Sequence, residues 1–144
     1  MDLKHIGRVT EHFPMKEVTS FKIGGPVDYF IEPETEEELI RALLRLEEEK
    51  IPWMVMGKGT NMVVSDKGIR GAVIRIGEFF EKVTVEGDRV IAEGGASMRS
   101  VAEAAQRESL TGLEFAHGIP GVVGGAMTMN AGAYGGEMKD VVEW

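Results

Sequence analysis

The sequence predicts an α+β chain of two lobes, a parallel βαβ lobe followed by a lobe richer in antiparallel strands. Three observations predict it. Residues 27–56 run apolar strand, amphipathic helix, apolar strand. Residues 82–92 alternate apolar and polar side chains around Gly87-Asp88, as a hairpin does. Between them, near Gly77, helix-separated strands give way to the hairpin pattern, which places lobe 1 at residues 1–77 and lobe 2 at 78–144.

The elements follow in order. Val27-Asp28-Tyr29-Phe30-Ile31 is a short strand closed by Pro33. Thr35 with Glu38 forms a capping-box signature, and Glu36 and Glu37 complement the helix N-terminus. Leu39, Ile40, Leu43, Leu44 and Leu46 are expected on one helical face, and Pro52 ends the helix around Lys50. Trp53-Met54-Val55-Met56 suits a buried strand that stops at Gly57. Strand, helix and strand in this order imply a parallel pair with a right-handed crossover. Met62-Val63-Val64 and Ala72-Val73-Ile74-Arg75-Ile76 are predicted as further strands, separated by the turn Ser65-Asp66-Lys67-Gly68. After the hairpin, Ser97 caps a second helix from Met98 to about Arg107, where Val101, Ala104 and Ala105 allow close packing.

Composition bounds the function. The 144 residues suffice for one ordinary domain or two small lobes. No apolar run approaches the ~20 residues of a membrane span, so no membrane partner is expected. Met1–Thr10 mixes Asp2, Lys4, His5 and Arg8 with isolated apolar residues and is not a signal peptide. With no cysteine, a reducing, cytoplasmic setting fits best. A formal net charge of −8 argues against nucleic acid as a partner, and the runs at 34–38 and 47–49 make an acidic surface.

Glycine is the anomaly: 19 residues, roughly twice the usual share. Eight of them crowd between Gly112 and Gly136, interleaved with Leu113, Phe115, Ile119, Val122, Val123, Met127, Met129 and Tyr134. That mixture suggests ordered backbone held close to something, unlike a Gly/Ser linker. Two segments are candidates for chemistry. Gly57-Lys58-Gly59-Thr60-Asn61 follows an apolar strand, where amides and side chains can approach an anion; a tight turn without ligand is the alternative. It is neither a Walker A loop nor a Rossmann fingerprint. Gly118-Ile119-Pro120-Gly121-Val122-Val123-Gly124-Gly125-Ala126, continuing through Asn130-Ala131-Gly132-Ala133-Tyr134-Gly135-Gly136, would let backbone pass close to a large flat or phosphorylated ligand. Asn130 offers a donor and an acceptor for anchoring it; the alternative is a loop-rich packing element.

Together with Thr19-Ser20-Phe21-Lys22-Ile23-Gly24-Gly25, these segments resemble the UDP-N-acetylenolpyruvoylglucosamine reductases. The matching blocks, Thr19–Asp28, Gly57–Gly71 and Gly112–Val141, run in family order over nearly the whole chain, with Val18 a small departure. The resemblance implies a PCMH-type FAD-binding fold with FAD between two lobes. Gly57, Lys58, Gly59, Thr60, Asn61 and Met62 match the first flavin loop. Gly118, Ile119, Pro120, Gly121, Gly124, Gly125 and Ala126 match the second, with Asn130, Ala131, Gly132 and Tyr134 on its continuation. Gly94-Gly95-Ala96, before Ser97, is a further contact candidate. It also implies NADPH as hydride donor and UDP-N-acetylenolpyruvoylglucosamine as substrate, reduced to UDP-N-acetylmuramate for peptidoglycan. The family's proton donor, glutamate and arginine have no match here, so no catalytic residue is expected in this chain, and its C-terminal substrate domain is expected to be absent. Another PCMH-type oxidoreductase and a stand-alone flavin or nucleotide module remain alternatives.

Other residues carry simpler expectations. His5 and His12 are expected in solvent, His117 beside the glycine block, and Met54 with Met56 in the core. No His/Asp/Glu spacing supports a metal site, and no serine sits in a nucleophile elbow. Tyr134 is placed to stack on or hydrogen-bond to the isoalloxazine.

Overall fold

Phe30 and its apolar neighbours form β2 (Pro26–Glu32), the second strand of a four-stranded sheet, in a computed structural model that describes residues 5–143. The sheet runs β1 (Arg8–Pro14), β2, β4 (Ile69–Arg75), β3 (Trp53–Met56), and α1 (Glu36–Glu48) links β2 to β3. It belongs to the first of two compact units, Met1–Phe79 and Phe80–Trp144.

The sheet corrects three expectations. Arg8–Thr10, for which the sequence predicts no element, lies in β1, antiparallel to β2, while His5 and His12 are exposed as expected. The strands β2 and β3 are parallel but not paired: β4 lies between them and is parallel to both. That makes β3 an edge strand, and Trp53, Met54 and Val55 are exposed rather than buried. Only Met56 of that strand enters the core. Third, Met62-Val63-Val64 is not a strand; Val64 packs inward, Val63 is exposed, and the segment is a loop.

Alternation divides the sheet's two faces. Ala72 and Ile74 pack with Ile31, Ala42 and Leu46 on the α1 side, and Val73 packs with Val27, Phe30, Met15 and Met56 on the other. Val27 and Phe30 share a face although three residues apart. A register shift between Val27 and Tyr29 changes the parity, and Asp28 Oδ2 accepts the Gly71 N–H there at 2.8 Å. Phe13 stacks on Phe30 with ring centroids 4.3 Å apart.

The first helix starts as expected, with Thr35 Oγ1 accepting the Glu38 N–H at 3.2 Å. The Glu38 carboxylate reaches back one residue further than a capping box requires, to the Glu34 N–H. Its buried stripe is Ala42 and Leu46 with Leu39 and Leu43 packed beside them; Ile40 and Leu44 face solvent. The helix ends in a Schellman motif, Ile51 N–H to Leu46 O and Lys50 N–H to Glu47 O, with Lys50 at φ 54°.

In the second unit, β5 (Val83–Glu86) and β6 (Arg89–Ala92) form the expected hairpin, and Gly87 supplies positive φ at its turn. The helix α2 (Met98–Arg107) is capped by Ser97, whose Oγ accepts the Ser100 N–H at 3.0 Å. The glycine-rich stretch holds a helix the sequence did not announce, α3 (Val123–Thr128), and then the two-residue strands β7 (Gly132–Ala133) and β8 (Gly136–Glu137). Ala96, Met98, Val101, Phe115, Ala116, Val123, Ala126 and Met138 form this unit's core.

Candidate functional site

The loop after β3 is held from behind by the block at 19–25. Gly59 O accepts the Ser20 N–H at 3.1 Å, and Gly59 itself is buried at φ 65°. Thr19, also buried, donates its hydroxyl to Ile23 O at 2.8 Å and so tightens the brace. Gly25 donates to Ser65 O at 2.9 Å, and a Cβ there would meet Asp66 O at 2.1 Å. Glycine in this unit therefore serves close backbone packing at 25 and 59. Lys58 and Asn61 lie exposed on the loop, with Gly57, Thr60 and Met62 half-buried.

The second unit zips two glycine segments together. Gly124 N–H donates to Gly94 O and Val123 N–H to Ala96 O, both at 2.9 Å, and Met98 N–H reaches Gly121 O at 3.2 Å. Gly94 and Ala96 thus act through the backbone of the candidate segment, while Gly95 N–H bonds Phe80 O at 2.9 Å. A Cβ on Gly124 would stand 3.2 Å from Gly94 O. Gly118 and Gly125 differ: both are exposed, nothing lies within 4 Å of a Cβ on Gly118, and the nearest atom to one on Gly125 is 3.9 Å away. Ile119 is half-buried, Pro120 exposed and Ala126 buried.

Asn130 follows α3 as the left-handed residue of another Schellman motif, φ 46°, with Ala131 N–H bonded to Ala126 O and Asn130 N–H to Met127 O. Its side chain does not stand open: Nδ2 donates to Glu137 Oε2 and Oδ1 accepts the Lys139 N–H, each at 2.9 Å. Lys139 pairs with the Glu137 carboxylate. Hydrogen bonds from Lys139 and then Asn130 hold Glu137 below the usual glutamate range, and the hydrogen bond to Glu137 raises Lys139. Tyr134 and Gly135 form the two-residue turn between β7 and β8, both at positive φ, 52° and 87°, and Tyr134 is 97% exposed. Gly132 is needed here, because its Cβ would meet Gly136 O at 2.7 Å. His117 is half-exposed, with Nε2 3.8 Å from Glu103.

The sequence-predicted residues therefore fall into two stretches, 57–62 in the first unit and 118–134 in the second. The brace from 19–25, the α3 helix and the Asn130–Glu137–Lys139 links escaped sequence reasoning. The Schellman-compatible Asn130 after Met129 is the local signal for the end of α3. Among the described residues, no buried side-chain N or O lacks a partner, no group of three or more His, Cys, Asp or Glu could hold a metal, and no helix is long and apolar enough to cross a membrane.

A family described as an FAD binding domain matches residues 27–144. The chain is 53% identical over 137 residues to the UDP-N-acetylenolpyruvoylglucosamine reductase of Caldanaerobacter subterraneus subsp. tengcongensis, covering 95% of this chain and 45% of that protein. It is 47% identical over 130 residues to the reductase of the same name from Clostridioides difficile, covering 90% and 43%. The crystal structure of UDP-N-acetylenolpyruvylglucosamine reductase from Thermus caldophilus matches with a TM-score of 0.77 and 37% identity, over 92% of this chain and 46% of that one. The chain spans under half the length of these relatives.

Proposed function

The chain belongs to the FAD-binding domain family, and from that premise we propose that it is the FAD-binding portion of a UDP-N-acetylenolpyruvoylglucosamine reductase. The two units act as the two FAD-binding lobes, and the substrate domain belongs to the part of the relatives that this chain does not span. The observation that carries the cofactor role is the bare backbone at Gly118 and Gly125. In the same unit Gly132 and Gly136 are required by close packing, and Gly87, Gly112 and Gly135 by positive φ, but these two by neither. Glycine there leaves room for a ligand to lie against the main chain.

The residues present fit FAD. In the first unit Gly57, Gly59, Thr60, Asn61 and Met62 present neutral amides and side chains, and Lys58 adds an exposed cation, with no carboxylate in the loop to repel a dianionic pyrophosphate. In the second unit Gly118, Ile119, Pro120, Gly121, Gly124, Gly125 and Ala126 would offer main chain to the cofactor, with Ala131, Gly132 and Tyr134 continuing that stretch. When bound, FAD would supply the redox chemistry, a hydride relay between NADPH and the enolpyruvyl ether whose reduction gives UDP-N-acetylmuramate. This chain's residues bind and orient the cofactor, and the proton donor comes from outside it. A cytoplasmic role in peptidoglycan precursor synthesis follows from that substrate.

Titration of the protein with FAD, followed by flavin fluorescence, tests the cofactor role; absence of saturable binding by the full-length protein overturns it. Substrate-dependent NADPH oxidation by the full-length protein tests the reaction. The 144-residue chain alone is expected not to turn over, because positioning and general acid catalysis, the latter worth about 10²–10⁴-fold, would both be missing. Turnover by this chain at the full-length rate would contradict the assignment of those roles.

A further inference from the structure

We infer that Asn130 is a positioning residue: its side-chain amide clasps Glu137 and the Lys139 backbone, and so presets the turn that presents Tyr134 to the flavin. The inference rests on the flavin-facing role proposed for this segment and deepens it.

The clasp is built from groups that a packing role does not require. Residue 130 ends α3 in the left-handed region, where Asn is tolerated better than most residues and glycine better still. What Asn adds is the amide, and both its polar atoms are committed, one to a carboxylate seven residues on and one to an N–H nine residues on. The intervening hairpin is also shut at its base by the Met138 N–H to Ala131 O bond, 3.0 Å. It is seated on the core by Gly136, where a Cβ would stand 2.8 Å from the Phe115 ring.

Everything in this assembly points to one residue. Tyr134 occupies the first central position of the turn at φ 52°, a place that favours Asn, Asp or Gly, and it buries almost nothing. A left-handed tyrosine is strained and, almost wholly exposed, brings the fold no packing in return. Strain of this kind, held in place by its surroundings and repaid by no packing, clusters at ligand contacts. The Glu137–Lys139 pair keeps the carboxylate ionised and able to accept from Asn130. Asp140 also faces this group, bonding the Glu137 N–H at 3.1 Å.

The test uses the full-length protein at a temperature where every variant is folded by circular dichroism. Asn130→Gly keeps the backbone conformation and removes only the amide. Asn130→Asp removes the donor and sets two carboxylates together, and Asn130→Asp with Glu137→Gln restores a donor–acceptor pair in reverse. We expect both single variants to weaken FAD binding about tenfold, the worth of two exposed hydrogen bonds, and the reversed pair to recover most of it. Adding Asn130→Gly to Tyr134→Ala should cost nothing further, because the amide acts through that tyrosine. Wild-type affinity in the single variants, no recovery in the reversed pair, or additive losses with Tyr134→Ala would each overturn the inference while leaving the flavin assignment standing. If Asn130→Gly fails to fold, the Asp series carries the comparison. No FAD binding by the wild type would overturn the assignment and the inference with it.

Discussion

A Cβ placed on Gly59 would stand 2.3 Å from the carbonyl oxygen of Val18. A glycine of the candidate anion-binding loop is thus also the point where the loop rests on its own unit. In Gly59→Val, left-handed φ and the clash together should cost roughly 2–4 kcal/mol without any ligand. Urea unfolding of the unliganded protein measures it, and a loss below about 0.5 kcal/mol would show that the loop simply relaxes.

Gly125→Ala should behave oppositely. Its Cβ has open space and replaces glycine within α3, so the unliganded protein should be unchanged or stabilised by up to about 1 kcal/mol. If the flavin lies against this backbone, FAD affinity should fall at least tenfold in the same protein. Stability from thermal unfolding and affinity from fluorescence titration should therefore move apart; unchanged affinity would remove Gly125 from the site.

Lys58 tests the electrostatic part. It is exposed, so Lys58→Gln should leave stability within about 0.5 kcal/mol. FAD affinity should drop about two- to fivefold at low salt. The gap should close near 1 M salt, where screening acts over about 3 Å. A salt-independent difference would point to a shape effect instead.

The Asn130 clasp should respond to acid. Glu137 has its folded pKa below its unfolded value, so its contribution is complete above the unfolded value and is lost as pH falls through the folded one. Lys139, raised in the fold, contributes fully below its unfolded pKa and loses that contribution as pH rises through the folded one. The clasp should thus be intact at neutral pH and open in acid. The side-chain amide resonances of Asn130, followed by NMR, should shift with a midpoint below the usual glutamate range; a midpoint within that range would mean the carboxylate is not held.

Much of this was legible locally. Thr35 and Ser97 announced their helices because a hydroxyl reaching an N–H three residues on is a short-range bond. Gly87-Asp88 announced its hairpin for a similar reason. What failed was non-local. Nothing within Trp53–Met56 says that β4 will insert beside it and leave it at an edge, and the periodicity of α1 was read one stripe too wide at Ile40 and Leu44.

The site divides the same way. By itself the sequence determined that two glycine-rich segments exist, that the second is ordered by its apolar partners, and that the chain resembles a flavoprotein. Only the tertiary structure decided what each glycine is for: Gly25 and Gly59 are required by backbone that approaches from distant segments and Gly132 by the facing strand of its own hairpin, while Gly118 and Gly125 stay open. It also decided that the Asn130 amide is spent on Glu137 and Lys139. A missing Cβ has a meaning only relative to what lies within 4 Å of it, and an amide only relative to the partners that fold against it, so neither meaning is carried by the residue alone.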